Sequence, residues 1–222
     1  MLSVRGKHFR VGLAWKLFSV SMVVLIVVGI YVGLYTLPKL RATMWQELEN
    51  KTREEVEVAW GTLAYWHDLE VAGQVSQAEA QMVALAQVNS LRYGENDEGY
   101  FWVNDFQPVM LAHPFAANLV NTDLSDYRDP DGKAIFVEFA SICRSQGEGF
   151  YTYQWQYGED ANRIEPKLSY VKSFEPWGWI VGTGIYTHEV MAPYQQQQTQ
   201  LWYWLGGLFF ALLVLCVVAI RY

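Results

Sequence analysis

Cysteine is scarce in this chain: Cys143 and Cys216 are the only two among 222 residues. Cys216 sits in an uncharged apolar run and Cys143 in a charged region far upstream. They cannot pair within one chain, so the fold must hold without an internal disulfide, leaving only an intermolecular bridge through Cys143 open. Acidic residues are missing from both ends. Residues 1–16 carry Arg5, Lys7, Arg10 and Lys16 with no acid, and only Arg221 is charged after position 200. Charge of either sign is missing from Leu17 to Leu37 and from Leu201 to Ile220, runs of 21 and 20 residues. At a rise of about 1.5 Å per residue, either run can cross a hydrocarbon layer of about 30 Å. These absences exclude a simple cytoplasmic enzyme, a multispan transporter and a basic protein that binds nucleic acid.

Catalytic motifs are also missing. There is no metal-ligand spacing, no nucleophile elbow and no pair of acids that periodicity brings together, so no catalytic residue, metal or cofactor is expected. Asp123, Asp126, Asp129 and Asp131 lack the twelve-residue loop with its terminal Glu that would hold calcium. Asp129-Pro130-Asp131-Gly132 reads more simply as a turn.

Between the two runs lies Pro38 to Gln200, 163 residues, which holds all 23 acids against 11 Lys and Arg, a net charge of −12. A mean hydropathy of +0.03 therefore averages a strongly segregated chain. Basic flanks outside an acidic middle place both termini in the cytoplasm by the positive-inside rule, and residues 38–200 outside. The first run exceeds the roughly 7–15 apolar residues of a cleaved signal, and Leu37-Pro38-Lys39-Leu40 is no small-residue cleavage site, so an uncleaved anchor is expected. Trp202, Tyr203 and Trp204 open the second run where amphipathic rings favour the headgroup zone. The expected organisation is a basic N-terminus at 1–16, a span at 17–37, an outer domain at 38–200, a span at 201–220 and a cytoplasmic end at 221–222. Such a chain has lipid as a partner and belongs in the membrane that bounds the cytoplasm.

Within the outer domain, Met44, Leu48, Thr52, Val56, Ala59, Leu63 and Trp66 recur at steps of three and four, the stripe of an amphipathic helix that continues past Pro38. A break follows at Ala72-Gly73-Gln74. Ser76 with Glu79 then forms a capping box for a second helix, so that 39–93 reads as a helical stalk ended by Gly94. From 99 to 186 the period changes. Segments 99–105, 109–114, 149–157, 166–174 and 178–186 are rich in aromatic and β-branched residues and read as five strands. Gln107-Pro108 joins the first two as a hairpin, and Glu175-Pro176-Trp177-Gly178 joins the last two. Ile135 to Ser145 has helical spacing. The fold class is α+β, an antiparallel sheet with helices to one side.

From about Ala86 to Val190 the sequence resembles the bacterial single-Cache sensor domain of type 2. The resemblance is carried by Leu91-Arg92-Tyr93-Gly94, Gly99-Tyr100-Phe101-Trp102-Val103-Asn104-Asp105, Ala112-His113-Pro114, Gly147-Glu148-Gly149-Phe150, Tyr153-Gln154-Trp155, Pro166-Lys167-Leu168-Ser169-Tyr170-Val171, and the run from Pro176 through Gly182-Thr183-Gly184 to Tyr186. It implies a PAS-like five-stranded sheet on a long N-terminal helix, usually as a homodimer. It also implies detection of small organic acids such as acetate, propionate, pyruvate or lactate. The signal would pass through the second span to a chemoreceptor, kinase or cyclic-dinucleotide output. With the sequence ending at Tyr222, the chain is expected to be either the input portion of a longer receptor or a protein acting through a signalling partner. A membrane-anchored protein that binds another protein, without a small ligand, is the alternative.

A carboxylate in an apolar pocket requires a cation and neutral donors, because an unpaired buried charge costs several kcal/mol. Lys167, His113 and Arg92 are the candidates, although Arg92 also suits the C-terminal end of a helix dipole. Strand alternation groups Tyr100 with Trp102 and Asn104, Tyr153 with Tyr151 and Trp155, Lys167 with Ser169, and His113 with Val109 and Leu111. The expected ligand-binding set is Lys167, His113, Tyr170, Trp102, Tyr153, Tyr100, Trp155 and Arg92. Gly182-Thr183-Gly184 lies in a strand and points to close backbone packing rather than to phosphate binding.

Overall fold

The stripe of three- and four-residue steps is a helix, and its inner side is buried. In the computed structural model, which describes residues 2–94, 97–158 and 160–221, helix α1 spans Leu2–Tyr31 and α2 spans Leu37–Val71. Between them Val32–Thr36 forms a π-helical turn, in which the Leu37 N–H reaches back to the Val32 carbonyl. Pro38 follows at once. It has no N–H for the regular ladder and its ring crowds the preceding turn, so a widened turn accommodates it. Thr52, Val56, Ala59 and Leu63 of α2 are almost completely buried. The helix stops at the expected break, where Gly73 takes φ +68°, and α3 covers Gln77–Ser90 with the Ser76 hydroxyl accepting from the Glu79 N–H.

Arg92 and Tyr93, assigned by pattern to the end of that helix, instead form the short strand β1. It pairs with β2, Gly99–Tyr100. The main sheet follows with β3 at Trp102–Asp105, β4 at Met110–Ala112, β5 at Glu148–Tyr157, β6 at Asp160–Phe174 and β7 at Trp179–Tyr186. Its order is β4-β3-β7-β6-β5, antiparallel throughout, and both expected hairpins are present. Helix α4, Ile135–Gln146, lies between β4 and β5 in sequence, and α5, Thr187–Arg221, continues directly from β7.

Helices on one side only would leave half of this sheet bare, and the structure differs from that expectation. Phe101, Val103, Tyr170, Phe174 and Val181 pack against Val56, Ala59 and Leu63 of α2 and Ala80, Ala84 and Val88 of α3. On the opposite face Trp102, Tyr153, Trp155, Val171 and Ile180 pack against Phe136, Phe139 and Cys143 of α4. The strands are apolar on both faces, so both must be covered. Cys143 is buried within that layer, out of reach of a second chain.

Two compact units result, residues 46–190 and residues 1–45 with 191–222. In the second, Trp202 lies over Gly33 and the Tyr194 hydroxyl donates to the Leu37 carbonyl. Its two helical stretches are long and apolar enough to cross a membrane, and their apolar side chains point outward rather than into a protein core.

Candidate functional site: a buried lysine in an aromatic box

The β6–β7 hairpin determines what faces Lys167. Its turn pairs Phe174 with Trp179, and counting back along both strands sets Lys167 opposite Tyr186. On the other side, β5 sets Tyr153 opposite Lys167. Tyr153, Lys167 and Tyr186 thus form one row across three strands on the α4 face of the sheet. Two glycines of β7 make room beside this row. A Cβ at Gly182 would stand 2.5 Å from the Trp102 ring, and one at Gly184 would meet the Ser169 hydroxyl and, at 2.6 Å, the Leu168 carbonyl. The close packing expected of the Gly-Thr-Gly segment is therefore present.

Lys167 is fully buried. Its Nζ donates to the Tyr100 hydroxyl at 2.8 Å and lies 3.9 Å from the Tyr100 ring centroid, 5.0 Å from that of Tyr186 and 5.6 Å from that of Trp102. The electron-rich faces of these rings partly replace the water that the ammonium has lost. Burial, followed by the neighbouring Tyr186 and Tyr153, raises the Tyr100 phenol well above its ordinary pKa, and burial raises that of Tyr153. Both remain protonated donors at neutral pH. The Tyr153 hydroxyl is within hydrogen-bond distance of Ser169 Oγ, at 3.0 Å.

His113 lies just past the end of β4, where strand alternation no longer applies. Leu111, expected on the same face, packs with the α2–α3 cluster, whereas the His113 ring stands 5.0 Å from Tyr100 and 5.6 Å from Trp155. Its Nδ1 accepts from the N–H groups of Phe115 and Ala116, at 3.2 and 2.9 Å. That arrangement puts the ring proton on Nε2. Burial first, then the positive charges of Lys167 and Arg92, lower its pKa to about 3. His113 is accordingly a neutral donor with one fixed tautomer. The Trp155 indole N–H is buried with no acceptor in good hydrogen-bond geometry among the described residues, and its ring lies beside His113.

The remaining predicted residues separate. Trp102 is a wall: its indole N–H is taken up by Asn104 Oδ1 and its ring stacks on Phe139. Arg92 lies at the mouth, over the Phe115 ring at 5.2 Å, with one nitrogen donating to the carbonyls of Asn89 and Leu91 at the end of α3. Tyr170 is not in the cluster. Successive residues of a strand face opposite ways, and its ring packs on Phe150 and under Arg53 on the α2 side.

Outside the box lies a cavity of about 430 Å³ that shares two of its walls, Tyr186 and Phe115. Arg92 and Tyr157 line it too, together with Asp97, Glu98 and Asp160. Tyr186, Phe115 and these acids, which line the cavity, are not among the candidates that the sequence pattern offered. The hairpin register could have yielded Tyr186, since a turn at 175–178 already implies its partner.

An antiparallel sheet carried by a long helix, with a buried lysine on one face and a last strand that runs into an apolar helix, is the PAS-like architecture of a sensor domain. The chain belongs to the single Cache domain 2 family, whose model matches residues 44–200. It is 40% identical over 183 residues to the methyl-accepting chemotaxis protein McpP of Pseudomonas putida, a match covering 82% of this chain and 32% of that protein. It is 36% identical over 121 residues to the sensor histidine kinase MctS of Rhizobium johnstonii, covering 54% of this chain and 25% of that one. Among solved structures, a Cache chemosensory domain studied for its carboxylic acid recognition superposes with a TM-score of 0.62 at 39% identity, over 65% of this chain and 97% of that domain. The chain thus spans about a third or less of the length of these two receptors.

Proposed function

We propose that this chain is the input module of a transmembrane receptor, that it binds a short organic acid of the acetate, propionate, pyruvate or lactate class, and that it relays the binding event through α5. The observation that carries this reading is the Tyr153–Lys167–Tyr186 row with the neutral donors of Tyr100, His113 and Trp155 around it. One cation with several neutral donors matches the charge and the lone pairs of a single carboxylate. A charge-assisted hydrogen bond contributes about 1.5–3 kcal/mol, so one or two of them with aromatic walls support micromolar affinity. The carboxylic acid recognised by the similar Cache domain supports the same class.

The relay reading rests on continuity. Tyr186 touches the Lys167 box and ends β7, and Thr187 begins α5 in the next position. Any shift of Tyr186 on binding therefore acts on the helix that holds the second apolar stretch, provided the two states differ in ligand affinity. The output would be of chemotaxis or kinase type, in line with the two relatives. The site reads as binding rather than catalytic. With one His113 nitrogen held by backbone and its pKa near 3, the ring is neither base nor acid at neutral pH.

The test is calorimetry on the full chain in nanodiscs with acetate, propionate, pyruvate and lactate. At least one should bind with micromolar affinity. Lys167→Met, which keeps the length and removes the charge, should weaken that acid by about 10- to 100-fold. No heat from any of the four acids sinks the ligand class, and a Lys167→Met protein that binds at full strength sinks the role of the lysine.

A further inference from the structure

We propose that His188, in the first turn of α5, is a proton-operated clasp, which holds the end of the β5–β6 hairpin through Arg163 when neutral and releases it when charged. The inference concerns the junction between strand and helix and does not depend on what fills the Lys167 box. Arg163 of β6 makes three contacts there. Its Nη2 is 3.3 Å from His188 Nε2, its Nε donates to Glu165 Oε1 at 3.2 Å, and its guanidinium lies 3.9 Å from the Tyr157 ring centroid. One side chain thus joins the end of β5, the outer part of β6 and the start of α5.

The chemistry of the pair fixes the tautomer of the histidine. A guanidinium only donates, so His188 Nε2 accepts and the ring proton sits on Nδ1. Nδ1 is buried with no hydrogen-bond partner in good geometry among the described residues, and Glu165 Oε2 stands just beyond that reach, at 3.6 Å. The titratable groups facing the ring are Arg163 and Glu165 from β6, Tyr157 from β5 at 5.5 Å and Tyr186 from β7 at 6.2 Å. A second proton on the ring inverts the balance between the first two. Nε2 then presents an N–H to the Arg163 N–H, donor against donor and charge against charge, while Nδ1–H becomes a charged donor for Glu165. The helix keeps Glu165 and loses Arg163. His188, Arg163 and Glu165 are 37%, 45% and 26% exposed in their side chains, so protons reach the clasp and water moderates its strength. Tyr157 and Tyr186 also line the cavity outside the box, which sets the clasp between the cavity wall and the helix that holds the second apolar stretch. Acidity outside the cell would then act on the same strand and helix as the ligand.

Histidine ordinarily changes charge between about pH 5 and 8, whereas His113, with its pKa lowered to about 3, stays neutral across that range. Nitrogen-15 histidine NMR on the full chain in nanodiscs reads the ring directly, with His188 assigned by the signals lost in His188→Asn. At about pH 8 the proton should be on Nδ1 and absent from Nε2. Hydrogen exchange at residues 160–165, corrected for the intrinsic effect of pH, should quicken about threefold between pH 8 and pH 5. In His188→Asn and in Arg163→Met it should stay level. A proton on Nε2 at pH 8 overturns the clasp. So does corrected exchange that is level in the unmodified chain, or a pH step that survives either substitution.

Discussion

At the scale of single residues, His113 and Lys167 differ in the charge they carry inside the same aromatic box. A protonated histidine beside Lys167 would add a second buried charge; burial, then the charges of Lys167 and Arg92, disfavour it, and Nδ1 is already occupied by two N–H donors. The consequence is measurable. With a folded pKa near 3 and an ordinary unfolded value of 6.5, the unfolded chain binds a proton at this position that the folded one does not. Stability linked to His113 is therefore complete above pH 6.5 and declines as pH falls toward 3, by up to about 1.4 kcal/mol per pH unit. His113→Asn, whose side-chain oxygen can accept the same N–H groups, should lose that part of the slope. Urea unfolding of both proteins at several values between pH 6.5 and 4.5 reads the difference, and parallel pH profiles would refute it. Lys167 and His113 stand out in the sequence because few cationic groups lie among so many aromatics, and the fold packs both against the Tyr100 ring. Tyr170 lies on the opposite face of the sheet from Lys167, which residue type alone does not reveal.

At the scale of elements, hairpin register and two glycines build the site. The short turns at 107–108 and 175–178 were readable from Pro and Gly, and register follows from turn length. Gly184 shows how little slack remains. An alanine there would drive its Cβ against the Leu168 carbonyl at 2.6 Å, and backbone yields less readily than a side chain. Gly184→Ala should destabilise the 46–190 unit by about 1–3 kcal/mol and lower its Tm by several degrees. Calorimetric melting tests this, and an unchanged Tm would mean that β6 and β7 can separate at no cost. The covering helices were harder to read. The apolar stripe of α2 was plain, but that α4 would take the opposite face was not, because Ile135 to Ser145 has the spacing of a helix and no mark of which face it covers.

At the scale of the whole molecule, charge is the organising quantity. A domain at −12 repels anions over its surface, so the proposed carboxylate site would depend on the local field of the Lys167 box. The partition of charge also predicts topology. A reporter that folds only outside the cytoplasm should be active when fused after Gln200, and a cytoplasmic reporter should be active when fused before Met1. The reverse pattern would refute the orientation drawn from the basic flanks. The two apolar runs, the acidic middle, the helix stripe and the strand segments were determined by the sequence, because hydropathy, charge and periodicity are local along the chain. The three-strand row around Lys167, the second covered face of the sheet and the acidic mouth beside Tyr186 were decided only by the tertiary structure. Each depends on residues far apart in sequence, such as Tyr100 and Lys167 or Glu98 and Tyr157, and the register and packing that join them are properties of the folded chain.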